Sequence, residues 1–343
     1  MIFRDALRFT LTITAIFIAV FGANRLAAQT IGTASPDGLW QIIADPEYPE
    51  GFRAPRSFVA ATLNKAALER ILASAPPESS DAEGGIAGTE FTLPLPSGEF
   101  KFVRAVQTLM MARELAADFP SIATYRFNAS DGASVGGHLV GDTRAFNVAG
   151  TVAGDLLRIE PVETASGEIL YLSYFDRDRT DGRNDFIHND EEANEPPPPI
   201  PVGGSVLEVF EPASIGPAIQ PAALAIGSQL RTYRFTAVTT GEFYQANGGN
   251  DLSVLVSLIV RLIAVNAVFE PEVGVRLILA ANTFDTLFDD PNTDPFNNGL
   301  SPGQLREENV TNALNQPLDD DDYDLAFLFS TGTGGGAAGT SSA

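Results

Sequence analysis

The chain has 343 residues, no cysteine, and a formal net charge of −23 with a pI near 4.3. So acidic a surface repels nucleic-acid phosphates and anionic lipid, which excludes both as expected partners. The missing thiols exclude disulfides, cysteine nucleophiles and cysteine-based zinc sites, while an apolar fraction of 44% is enough for a packed core.

Residues 1–29 read as an export signal. Arg4 and Arg8 make a basic start, Phe9 to Phe21 is an apolar stretch, and Leu26-Ala27-Ala28 offers a small-residue cleavage site. The apolar stretch is shorter than the roughly 20 residues that span a hydrocarbon core. The expectation is a secreted or periplasmic protein without a stable membrane anchor, an uncleaved signal being the alternative. Leu252 to Val268 comes nearest to spanning length elsewhere, but Arg261 and Asn266 interrupt it, so it reads as a core helix.

Residues 30–190 form a β-rich block. Alternating apolar residues between turn signals predict strands at Glu99–Val106, Ala123–Asn128, His138–Val140, Phe146–Val148, Leu156–Pro161 and Ile169–Phe175. Short helices fit Asn64–Ala73 and Met111–Asp118; in the first, Leu63, Ala67, Leu68, Ile71 and Leu72 share one face.

Residues 191–227 read as a linker. Glu195-Pro-Pro-Pro-Pro-Ile-Pro201 favours stiff polyproline II, and Gly203-Gly204 frees the chain after it. An exposed linker is where a maturation cut would fall. Just before it, Asp176, Asp178, Asp181 and Asp185 suggest a calcium loop, but Arg177 and Arg179 occupy ligand positions of that motif, and a solvated charged segment is the better reading.

Residues 228–343 alternate strand and helix. A strand is predicted at Tyr233–Gly241, and a long helix at Gly249–Glu270 with Asn250 or Asp251 as cap and Pro271 as its end. Val273–Ala281 is apolar on both faces, as a central parallel strand would be. An acidic loop follows, then a helix over Pro302–Asn315, a third strand over Tyr323–Phe329, and a glycine-rich turn, Gly332–Gly339. This β-α-β-α-β order predicts a mostly parallel sheet with helices packed on it. The third strand also expects cover on both faces, which would leave an open apolar edge where the sequence stops.

Catalytic constellations are scarce. The two histidines, His138 and His188, have no partner four residues away, so H-E-x-x-H is absent. No G-x-S-x-G elbow surrounds either histidine. The glycine-rich turn lacks Gly-Lys-Ser/Thr, which argues against a phosphate loop. The acidic side chains are too numerous for any one pair to be singled out for glycoside hydrolysis.

Four segments carry a resemblance: TYRFTAVTTGEFYQANGG, VSLIVRLIAVNAVFEPEVGVRLILAANT, TDPFNNG and YDLAFLFSTGTGGGAAG. In order and spacing they resemble the first half of a reprolysin-like catalytic domain, a metzincin-type zinc endopeptidase of the bacterial secreted branch. Phe91–Pro96, Met111–Phe119, Thr124-Tyr125-Arg126 and Ser173-Tyr174-Phe175 resemble the propeptide that precedes it. The fold this implies is α+β: a β-rich propeptide-like domain, then the N-terminal half of a metzincin-like α/β domain. The implied partners are a peptide or protein substrate and, within the chain, the propeptide-like block docked on the protease-like half. The implied cofactor is zinc, with calcium as a further possibility at Asp324, which matches a family position only weakly. The zinc helix would lie beyond Ala343, so the expectation for this chain is no catalytic residue, no zinc ligand and no peptidase activity. A non-catalytic binding or inhibitory protein derived from the family is the alternative.

Overall fold

A computed structural model describes residues 33–78, 88–180, 230–296 and 323–331, together with the backbone of 337–340. The expected export signal, the linker at 191–227, His188 and the helix expected at 302–315 lie outside the described residues.

The N-terminal block is an antiparallel sheet of nine strands: β1 (Trp40–Ile43), β2 (Val59–Leu63), β3 (Thr89–Pro94), β4 (Phe100–Gln107), β5 (Ala123–Ala129), β6 (Val135–Gly141), β7 (Phe146–Val152), β8 (Asp155–Glu163) and β9 (Ile169–Phe175). Their order is β1-β2-β9-β8-β7-β6-β5-β4-β3, so the sheet curls until its two end strands meet. Side chains close that seam. The Trp40 indole donates to the Thr92 carbonyl at 2.7 Å. The Thr92 amide and hydroxyl both donate to Asp37. Ser173 Oγ donates to the Pro94 carbonyl at 2.7 Å.

The interior of this near-barrel holds Trp40, Phe91, Leu93, Phe127, Leu139, Leu157 and Ile159. One helix, α1 (Lys65–Leu72), caps it with Leu68 and Leu72. Asn64 starts that helix by accepting from the Ala67 amide, as the sequence reading places it. Six of the strands follow the alternation read from sequence, within a few residues at each end. β1, β2 and β3 do not come from that reading. β1 and β2 depend on the distant β9, and short strands of that kind are specified by tertiary contact more than by pattern; β3 forms a local hairpin with β4 that the alternation did not reveal.

A short helix α2 (Arg113–Asp118) leads out of this sheet toward the C-terminal unit. There, β10 (Arg231–Thr239) pairs in parallel with both β11 (Val275–Leu279) and β12 (Leu325–Phe329). The sheet order is β11-β10-β12-β13, with β13 (Ala337–Thr340) antiparallel to β12. The mostly parallel sheet expected from the β-α-β order is therefore present, with three differences.

First, β10 rather than β11 is central. The strand at 275–279 lies at the end of the four-stranded ladder and is apolar because the rest of the fold covers it. Second, residues 337–340 at the end of the expected glycine-rich turn form β13, which pairs along β12, so β12 is not the open edge. Third, Pro271 does not end the long helix. The first helix of the unit is a short α3 (Gly241–Ala246), and the long helix α4 runs Asp251–Val273. It stops at Gly274, which takes the left-handed φ of 65° that favours glycine. Pro271 forfeits a bond to the Ala267 carbonyl and crowds it, but the helix continues only two residues further, so the disturbance stays in its last turn.

Asn250 caps α4 by accepting from the Ser253 amide at 3.0 Å. By length and composition α4 is apolar enough to cross a membrane. In the fold it is the middle layer. Val254, Leu255, Leu258, Ile259, Leu262 and Ile263 share one buried cluster with Val140 and Ala149 of the large sheet and with Ala237, Leu277 and Leu279 of the small one. A helix that is apolar nearly all round needs this cover on two sides.

Candidate functional site

The most developed polar site among the described residues lies where α4 ends between the two sheets. Five charged or titratable groups meet there: Glu78, Arg126, His138, Glu270 and Arg276.

Local structure aims each of them. Arg126 on β5 and His138 on β6 are direct cross-strand partners, so both project from the face of the large sheet that meets α4. Glu78 follows a bridge between Pro77 and Gln107, with its own amide donating to the Gln107 carbonyl at 2.8 Å. Glu270 sits in the last turn of α4, and Arg276 is the second residue of β11.

Arg276 is the hub. Its guanidinium reaches Glu78 (Nη1 to Oε2, 2.6 Å) and grips Glu270 at both oxygens (Nε to Oε1, 2.6 Å; Nη2 to Oε2, 3.0 Å). Arg126 Nη1 donates to Glu78 Oε1 at 3.0 Å. The Thr108 hydroxyl donates to Glu78 Oε2 at 2.6 Å. His138 Nε2 lies 2.9 Å from Glu270 Oε1, and its Nδ1 is buried without a hydrogen-bond partner. The side chains of Glu270 and Arg276 are each 8% exposed and that of His138 only 2%.

Charge is balanced by two carboxylates against two guanidiniums. Burial opposes ionisation of Glu78 but is outweighed by Arg276, Thr108 and Arg126, which hold it down to about 2. Burial likewise opposes the charge on Glu270, and the bonds to His138 and Arg276 outweigh it, again to about 2. The same two carboxylates push Arg276 above its ordinary value against the effect of burial. Arrangements of this kind gain little net stability, because desolvation consumes most of the Coulombic gain. They do penalise misplacement, since one missing partner leaves a buried charge uncompensated, at about 3–5 kcal/mol.

The edge of the small sheet closes beside this cluster. The Leu279 amide donates to the Met110 carbonyl at 2.9 Å, and the Ala112 amide donates to the Leu279 carbonyl at 2.7 Å. Residues 110–112 of the N-terminal block thus extend the small sheet as an added edge segment on β11. One step along, Asn266 of α4 takes both backbone groups of Leu277: Leu277 N–H donates to Oδ1 and Nδ2 donates to the carbonyl, each at 2.8 Å.

Zinc does not fit the described residues of this site. His138 already spends Nε2 on a carboxylate that two guanidiniums share, and a dication would have to displace both. No group of three potential metal-binding side chains occurs among the described residues. Asp324 accepts from the Arg234 amide at 2.6 Å and from its Nη2 at 3.1 Å. The bond to Arg234 holds its carboxyl below the usual range. Asp324 thereby ties the start of β12 to the middle of β10.

At the far end of β10, Gly241 donates its amide to Asp294 at 2.7 Å. A Cβ at Gly241 would overlap the Pro291 backbone, so only glycine lets the acidic loop approach so closely.

Sequence reading singled out Asp324 and found no partner for His138. The charge cluster escaped it because its members are remote in the chain. Two signals were present. Arg276 interrupts an otherwise apolar strand, VRLIL, and such a residue needs a buried partner. Glu270 places a carboxylate in a last helical turn, where the helix dipole disfavours it.

A β-α-β unit with a parallel β11-β10-β12 core and an antiparallel outer strand defines an α/β domain attached to a β near-barrel. Residues 229–342 match the family described as metallo-peptidase family M12B, reprolysin-like. That match covers the C-terminal third of the chain. No curated protein and no solved structure matches it.

Proposed function

We propose that this chain carries the first strands and helices of a reprolysin-like zinc metalloendopeptidase domain, preceded by a propeptide-like block that assists it, and that residues 1–29 direct its export. The match over residues 229–342, falling on the parallel β10-α4-β11-β12 unit, is the observation that carries this reading.

The zinc helix of such a domain, H-E-x-x-H, is not among these 343 residues. The described side chains therefore supply framework to the peptidase fold and no chemical step. α4 and the parallel sheet set the platform, and the charge cluster fixes the propeptide-like block against it. Zinc, where the domain holds it, supplies an activated water for peptide-bond cleavage.

Purified residues 1–343 should bind no stoichiometric zinc and leave casein uncut. The test of the reading is the gene itself, translated past codon 343 in all three frames. H-E-x-x-H-x-x-G-x-x-H within a domain's length downstream supports the peptidase. Unrelated sequence in every frame overturns it in favour of a non-catalytic binding protein.

A further inference from the structure

We infer that the N-terminal block is a permanent, non-covalently held subunit of the reprolysin-like unit, so that cutting the connector between them does not release it. The inference goes beyond the peptidase reading and does not require it, because it rests on the joint between the two parts.

Three features of that joint are those of a shared core rather than a removable cover. The apolar side chains of α4 form one buried cluster with Val140 and Ala149 from one sheet and Leu277 and Leu279 from the other, so separation would return a 23-residue apolar helix to water on one side. Met110 and Ala112 complete the backbone pairing of Leu279, so separation would also open the edge of β11. Glu78, Arg126 and His138 come from one part and Glu270 and Arg276 from the other, so each part would keep charges arranged for the other. The block is seated on the β11 edge, at the opposite end of the small sheet from β13.

The test uses the full chain with a site-specific protease sequence inserted between residues 190 and 228, cut to completion. The expected result is a single species with the mass of the uncut chain by analytical ultracentrifugation at neutral pH. Two separated fragments would overturn the inference.

An Ala112→Pro variant probes the joint directly. Ala112 has φ −55°, within the range proline adopts, and the substitution replaces the one N–H that reaches Leu279 by a ring carbon directed at the Leu279 carbonyl, so the edge pairing must open there. The cut variant should lose its partner about tenfold faster than the cut parent, the scale of one buried acceptor left unpaired. An unchanged rate would show that the edge pairing does not hold the parts together. Zinc content and casein cleavage do not enter either readout, so failure here is distinct from failure of the peptidase reading.

Discussion

Asn266 serves Leu277 as a substitute for a neighbouring strand. Its amide occupies both backbone groups that Leu277 turns away from β10, at 2.8 Å each, and the side chain is fully buried. A buried polar residue on an apolar helix thereby finishes a sheet edge, its Nδ2 also reaching Met110 Sδ at 3.3 Å. Asn266→Leu should fill the same space but leave an N–H and a C=O unpaired in the core. A loss of roughly 2–6 kcal/mol is expected in urea unfolding, from two buried groups each costing about 1–3 kcal/mol. A variant as stable as the parent would mean that the Leu277 groups find other partners.

The charge cluster makes an acid-sensitive joint. Glu78 and Glu270 ordinarily titrate near 4.5 and are held at about 2 in the fold. Both are lowered, so their contribution is fully present above about pH 4.5 and is lost as pH falls from there toward 2. For Glu270, the more deeply buried of the two, this amounts to something on the order of 3 kcal/mol, and for Glu78 to less, because solvent screens it. Arg126, Arg276 and His138 face them from the neighbouring strands and stay in place while the carboxylates neutralise. Urea midpoints measured between pH 6 and pH 2.5 should fall steeply below 4.5, and Glu78→Gln should flatten that fall. A parallel pH profile in the variant would assign the acid sensitivity to other carboxylates.

The seam of the near-barrel has a built-in reporter. Trp40 is the single tryptophan, 2% exposed, donating to Thr92 and set edge-on to Tyr171 at 5.4 Å between ring centroids. Asp37 holds the same Thr92 through its amide and hydroxyl, and the Ser35 hydroxyl together with these bonds and the Leu39 amide outweighs burial in keeping its carboxyl below the usual range. Asp37→Ala should destabilise the N-terminal block by about 1–3 kcal/mol, the scale of buried donors left unpaired. It should also move Trp40 emission to the red and raise acrylamide quenching before global unfolding. Unchanged emission would mean that β1 and β3 stay closed on apolar contacts alone.

What was legible in the sequence follows from how local each determinant is. β4 to β9 are successive antiparallel neighbours, with short turns from β5 onward and only the short α2 segment between β4 and β5, so pattern reading finds them. β1 and β2 join the sheet through β9, a partner far along the chain. The parallel sheet could be read from the β-α-β order, because a crossover leaves few alternatives. Which strand is central could not, since β11 is made apolar by α4 and by residues 110–112 as well as by β10. The short α3 hid behind its helix-poor ends, Gly241 and Asn247. The cluster was hidden in the same way as β1: Glu78 and Arg276 are separated by 198 positions, and nothing short-range links them.

The strand order also sets a timetable. Val59 can complete its ladder only when Ser173 exists, and Leu279 meets Met110 only after β10 and α4 have been made. Between these events lies a run of hairpins, β4 through β8, that needs no distant partner. Those hairpins should protect their amides first, and the closing of the ring by β1, β2 and β9 should be the slow phase, since loop-closure entropy falls on the most distant pairs. On that order the unclosed sheet leaves β3 and the Trp40–Thr92 seam open until the last step, so slowing the closure should lengthen the time in which that edge can pair with another copy.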